Sequence, residues 1–207
     1  IKMLNVVDDR LVVEEKGIYS IEKFIIARRL MYWQVYLHKT VLAAENMLLS
    51  ILRRARELSR NGTTLFASPV LSYFLNEDIG SRELMDDPKV IARFSMLDDH
   101  DISSAIKVWA DADDPVLSRL CSMLMNRVLF SVDLQKEPVG EEQAARLRKE
   151  VGKRYGLYDE EAGYFVISDS TANRAYHTGS DKIFVHRKSG EVLDIAEASD
   201  QLDISVL

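Results

Sequence analysis

Cysteine and histidine are scarce in this sequence, and each shortage removes a class of chemistry. The single cysteine, Cys121, has no partner for an internal disulfide. It lies in an apolar helical run and reads as a buried thiol, so the reducing cytoplasm is the expected compartment. Only four histidines occur, His38, His100, His177 and His186, and they do not assemble a complete metal-ligand set by spacing. Gly-rich phosphate loops, CxxC pairs and GxSxG elbows are missing. No apolar run approaches the roughly 20 residues of a membrane span, and residues 1–8 lack the basic start and apolar stretch of a signal peptide. The net charge of −6 argues against a generic nucleic-acid binder. It leaves room for a local basic pocket that takes a phosphorylated small molecule.

What is present suits a folded core. Hydrophobic residues make up 47% of the chain and charged residues 29%, the balance of a globular protein. Residues 1–19 read as a short helix and a strand over Arg10–Glu14, followed by a turn at Gly17. Ser20 is then a plausible N-cap, and helical periodicity runs from it to Arg60, where Asn61-Gly62 supplies a stop. One helix of about 40 residues would span roughly 60 Å. Few small domains bury such a helix from end to end, so an oligomer surface is expected. Shorter helices are predicted over Pro69–Leu75, Pro88–Met96, Asp101–Ala110 and Pro115–Phe130. The texture changes near Pro138-Val-Gly140, because Gly17, Gly62 and Gly80 are the only glycines before it. Glu141–Tyr155 reads as an amphipathic helix. Tyr164–Ile167 and Lys182–His186 read as strands, the second pairing with Glu191–Ile195 across Ser189-Gly190. The expected fold is mainly α, a helical body over 1–137 with a small α+β lobe over 138–207.

The long helix carries the most specific pattern. At 100° per residue, Arg28, Tyr32, Tyr36 and Lys39 fall within an arc of about 80°. Arginine offers a planar fork to phosphate oxygens, tyrosine stacks on a sugar or base, and lysine adds a point charge. The same spacing also suits two core tyrosines with wet hydroxyls, flanked by cations that pair with acidic neighbours.

The segment Ala27-Arg28 through Met31-Tyr32, then Val35-Tyr36-Leu37-His38-Lys39-Thr40, resembles a helix of HD-superfamily deoxynucleoside triphosphate triphosphohydrolases. It is the helix that follows their metal centre. The Tyr-x-His-Lys core, with an arginine eight residues before the tyrosine, carries the resemblance. Weaker similarity extends to about Gln135. The resemblance implies that Arg28 contacts a substrate triphosphate and that Tyr36 packs against the sugar. Tyr32 stands where a relative has a histidine near the phosphates. His38 and Lys39 match positions near an inter-subunit nucleotide-effector site. Leu37 departs from the pattern: other members have a glutamine there that reads the sugar 3′-hydroxyl, and leucine cannot hydrogen-bond, which leaves the deoxy-versus-ribo preference open.

HD enzymes hold a divalent metal with a histidine, an adjacent His-Asp pair and a distant aspartate, and the metal activates water. The only adjacent pair here is His100-Asp101, within Leu97-Asp-Asp-His-Asp-Ile102, and it reads better as a helix cap. The resemblance places the ligands upstream of Ile1, so this chain is expected to be the C-terminal part of an HD-type catalytic domain. It would hold no metal and no catalytic residue of its own. Arg53, Arg54, Arg56 and Arg60 form a basic patch that suits either dipole complement or an effector phosphate. Asp111-Ala-Asp-Asp-Pro115 lacks the glycine and glutamate of a calcium loop and reads as a cap. Lys182, His186, Arg187 and Lys188 read as a solvated hairpin or a phosphate contact.

The leading expectation is the C-terminal part of a metal-dependent HD-superfamily phosphohydrolase that converts a (deoxy)nucleoside triphosphate to nucleoside and triphosphate. It would form a homo-oligomer and act on a soluble nucleotide, away from membranes. The alternative is a nucleotide-binding regulatory or oligomerisation module without catalysis.

Overall fold

Prolines and short polar residues fix half of the α-helix starts in the computed structural model of the chain, which describes residues 3–135, 137–171 and 182–199. The elements run β1 (Leu4–Val7), β2 (Arg10–Glu14), α1 (Ile18–Met31), α2 (Lys39–Arg60), α3 (Pro69–Asn76), α4 (Ser81–Asp86), α5 (Pro88–Phe94), α6 (Asp99–Trp109), α7 (Pro115–Met125), α8 (Glu141–Tyr155), α9 (Asp159–Ala162), β3 (Phe184–His186), β4 (Val192–Asp194) and α10 (Ile195–Ala198). Pro69, Pro88 and Pro115 each open a helix behind the caps Ser68, Asp87 and Asp114. The chain is mostly helical with one small sheet. None of its described helices is long and apolar enough to cross a membrane.

The compact units differ from the expected 1–137 and 138–207. Residues 1–38 and 170–207 form the first, and residues 39–169 the second. The cause is strand pairing. β2 runs parallel to β3, with Val12 opposite Phe184 and Val13 opposite Val185, so the two ends of the chain share one sheet in the order β1-β2-β3-β4. Local composition carries no trace of such a pairing.

In the first unit the opening residues form β1, not a helix. Asp8 and Asp9 connect it to β2 with φ of 48° and 59°. Positive φ at both central residues makes the type I′ turn that suits a two-residue hairpin. β3 and β4 pair across the expected turn, with Gly190 at φ 89°. Gly17 lets the chain fold tightly against β2: a Cβ there would lie 2.6 Å from Val13 Cγ1. α1 starts at Ile18, so Gly17 and not Ser20 stands at its cap. Ile18 and Ile25 bury against Val185, Ile195 and Ala198. Glu22 is also buried and accepts a hydrogen bond of 2.5 Å from the Ser199 hydroxyl.

In the second unit, α2 is amphipathic. Ala43, Met47, Ser50, Ile51 and Ala55 recur at helical spacing and are buried. Ile51 and Ala55 share a core with Leu71, Trp109, Leu117 and Cys121. Trp109 is pinned by its Nε1–H, which donates to the Phe66 carbonyl at 2.9 Å. Burial pushes the Cys121 thiol up to about 12, so it is an inert core group. α8 joins this unit through Val151 and Tyr155 and ends at Gly156, φ 68°. Tyr164–Ile167, expected as a strand, holds instead a 3-10 turn over Gly163–Phe165. Phe165 is drawn into the helical core beside Tyr155 and Phe130. α7 stops at Met125, short of Phe130, because Arg127 takes a left-handed φ of 57°.

The single long helix expected from Ser20 to Arg60 is broken. α1 gives way to a π turn over Tyr32–Tyr36, and α2 begins only at Lys39. Tyr-Trp-Gln-Val-Tyr is bulky and β-branched, poor material for continuing a regular helix.

Candidate functional site

The backbone of the π turn sets the site. The Leu37 amide donates to the Tyr32 carbonyl at 2.7 Å, an i to i+5 bond, and the His38 amide donates to the Val35 carbonyl at 3.3 Å. Such turns insert an extra residue per helical cycle and recur at functional sites. A count of 100° per residue therefore does not carry from Arg28 through to Lys39.

Arg28, Tyr32 and Tyr36 are brought together all the same. The Arg28 guanidinium carbon lies 5.5 Å from the Tyr32 ring centroid. The Tyr32 and Tyr36 rings are 4.9 Å apart between centroids and tilted by 49°. These are favourable cation–π and aromatic geometries. Tyr36 is 50% exposed, Arg28 is exposed and Tyr32 is half-buried, so the tyrosines are not core residues. Among the described residues Arg28 carries no ion pair. Its N–H fork is thus open to an anion while its face rests on Tyr32, and two adjacent rings offer a stacking surface. Leu37 is half-buried and His38 exposed. Lys39 is the exposed first residue of α2, which starts after the π turn, so the helical count from Arg28 does not extend to it.

One feature was not foreseen. Leu30, Met31, Trp33 and Val35 are each more than two-fifths exposed around the ladder. The signal lay in the sequence of α1, whose apolar residues fall on every side and not on one stripe.

The other candidates are internal. Asp98 accepts from the amides of His100 at 2.8 Å and Asp101 at 3.1 Å, and Asp101 accepts in return from the Asp98 amide at 3.0 Å. That reciprocal cap is the expected role of the acidic run. The Ser68 hydroxyl, then the Asp98 amide, hold the Asp101 carboxyl below its usual range. His186 lies 3.5 Å from the Glu14 carboxylate within the sheet, and His177 lies outside the described residues. Among the described residues no three His, Cys, Asp or Glu side chains gather as a metal-binding group.

Three arginines of the α2 patch are committed to acids. Arg54 grips Asp114 with two bonds of 3.1 and 2.6 Å and reaches Glu57 at 2.9 Å. Arg56 and Arg60 both reach Asp78, at 3.2 and 2.8 Å. Asp114 also caps α7 through the Leu117 amide at 2.7 Å. Burial raises the Asp114 carboxyl, but Arg54 and that amide prevail and hold it below the usual range. The Tyr164 hydroxyl, aided by Arg54, holds Glu57 below its usual range as well. Sequence showed Arg54 and Asp114 as separate patches, because the pairing spans two helices.

Comparison with known proteins bears on the same stretch. Residues 1–67 match a family described as an HD associated region. Over 169 residues the chain is 31% identical to the uncharacterized protein YwfO of Bacillus subtilis (strain 168), a match that takes in 82% of this chain and 36% of that one. The fold superposes with a TM-score of 0.87 on the crystal structure of a phosphohydrolase from Bacteroides thetaiotaomicron VPI-5482. That protein is 49% identical, and the match covers 99% of this chain and 50% of that one. The chain therefore spans half or less of the length of these relatives. It is similar to an HD-associated region in its first third and to a phosphohydrolase along nearly all of its length.

Proposed function

We propose that the chain is the substrate-contacting part of an HD-superfamily phosphohydrolase that converts a (deoxy)nucleoside triphosphate to nucleoside and triphosphate. The observation that carries the reading is the exposed Arg28–Tyr32–Tyr36 ladder, which lies in the segment similar to an HD-associated region. Arg28 donates to the phosphate oxygens and is oriented by the Tyr32 face. Tyr36 packs against the sugar. Leu37 offers no hydrogen bond to a sugar hydroxyl, so discrimination between deoxy and ribo substrates falls to shape. The described carboxylates and histidines do not fit a divalent metal: Asp98 and Asp101 are occupied by amides and no cluster forms. The reading assigns the metal to another part of the parent protein.

In the intact protein, Arg28→Ala is expected to lower turnover of a nucleoside triphosphate about tenfold or more, the scale of a lost charged hydrogen bond. Release of inorganic triphosphate from dATP and from ATP measures it. Unchanged kinetics would remove Arg28 from the site.

A second reading, a nucleotide-binding oligomerisation module, is favoured by the exposed apolar residues around α1. It predicts nucleotide-dependent thermal stabilisation without product formation.

A further inference from the structure

Arg119 and Arg154 both approach one tyrosine ring, and among the described residues no carboxylate lies within ion-pair distance of either. Their guanidinium carbons lie 4.6 and 5.5 Å from the Tyr155 ring centroid. Among the described residues neither makes an ion pair. In this they differ from Arg54, Arg56 and Arg60 of the same unit, which all face carboxylates. The platform beneath them is fixed, because the Tyr155 ring sits 5.5 Å from that of the buried Phe165. Two cations brought toward one ring repel each other. Helix-dipole complement accounts for Arg154, in the last turn of α8. It does not account for Arg119, which sits in the first half of α7 toward its positive end.

A groove of about 540 Å³ runs along α7 from Arg119. Ser118, Ser122 and Asn126 line it at successive turns, together with Asp113 and Met123. The Ser118 hydroxyl donates to the Asp114 carbonyl at 2.8 Å and the Asn126 amide donates to the Ser122 carbonyl at 2.8 Å. The Ser118 oxygen and the Asn126 side-chain carbonyl are left as acceptors.

We infer that Arg119, Tyr155 and Arg154 form a binding site for a phosphorylated small molecule, whose body lies in the groove along α7. The phosphates take the guanidiniums' forked donors, which suit phosphate oxygens. The groove acceptors and Asp113 then take hydroxyl or amino groups of the body. The site shares no residue with the Arg28 ladder and lies in the other compact unit, so either assignment stands without the other.

The test is calorimetric titration of the intact protein carrying Arg28→Ala, with inorganic triphosphate and with ATP as probes. EDTA is present to stop turnover, and ATP is expected to be the tighter ligand at this site; binding that remains at the proposed substrate site is the part the added arginine substitutions leave unchanged. Adding Arg119→Ala and Arg154→Ala weakens both probes at this site about tenfold or more. Tyr155→Phe keeps the binding and Tyr155→Leu weakens it. Unchanged affinity in the double arginine variant overturns the site, and equal affinity for the two probes removes the groove from it. A second measurement needs no substitution. Phenylglyoxal modification of Arg119 and Arg154, read by peptide mass spectrometry, is slowed by triphosphate if the site exists. Equal modification with and without triphosphate overturns it.

Discussion

α1 and α2 are neighbours in sequence and opposites in burial. In α2 the apolar residues phase onto one face: Met47, Ile51 and Ala55 are fully buried, the last two in the core of their own unit. In α1 and the π turn after it, apolar residues point in all directions and only Ile18 and Ile25 are covered among them. Phe24, Leu30, Trp33 and Val35 remain about half exposed or more. A helix that is apolar all round is stable when surrounded. α2 buries its apolar stripe, whereas α1 and the turn after it hold Arg28, Tyr32 and Tyr36 on a surface that their own sheet does not cover.

The comparison breaks most sharply at Ile51. Ile51→Ala opens a cavity in a fully buried position and is expected to cost about 2–5 kcal/mol. Denaturant unfolding measures the loss, and a change below about 1 kcal/mol would mean that the α2 core is looser than described.

Next in size is the Arg54–Asp114 pair, whose side chains are only 13% and 14% exposed. Arg54→Ala strands Asp114 and Glu57 and is expected to cost on the order of 2–3 kcal/mol. The pH dependence has a definite sign. The folded-state values of Asp114 and Glu57 lie below the unfolded carboxylate range. Their stabilisation is complete above that range, around pH 4, and is lost as pH falls through the lower folded values. Unfolding midpoints measured from pH 7 to pH 2 should fall steeply in the wild type and more gently in Arg54→Ala. Parallel curves would remove the pair from the acid response.

A smaller effect belongs to the first unit. Gly17→Ala sets a methyl group 2.6 Å from Val13 Cγ1, so β2 or α1 must shift, at about 1–3 kcal/mol. Thermal unfolding reports it directly.

The smallest expected stability effect is the most telling for α1. Trp33→Ser on the exposed π turn should change unfolding free energy by less than about 0.5 kcal/mol. It should instead shift the assembly measured by light scattering of the intact protein. A large loss of monomer stability would place Trp33 in a core.

Much of the second unit was legible because its punctuation is local. Pro69, Pro88 and Pro115 start helices where a missing N–H costs nothing, and Gly62 and Gly156 end them at positive φ. The caps at Asp98 and Asp114 were legible for the same reason. Three features were not. The Asp8-Asp9 turn uses residues that tolerate a left-handed backbone without announcing it as Asn-Gly does. The π turn interrupts a periodicity that looked continuous from Ser20 to Arg60. The pairing of β2 with β3 depends on partners far apart in sequence. Within the candidate site, Arg28, Tyr32 and Tyr36 were named from spacing and do meet in space. Their exposure was not visible, since the same spacing also describes a packed stripe.

The pairing of Val12 with Phe184 also orders events in time. During synthesis the contiguous second unit can leave the ribosome whole and close its core early. The first unit cannot finish then, because β3 has yet to be made. Until it arrives, the β1–β2 hairpin offers an unpaired edge and α1 stands beside it with its apolar sides bare. The edge of β2 that β3 covers in the finished sheet therefore stays open until Phe184–His186 are made, and an unpaired edge of that kind is a template for wrong partners.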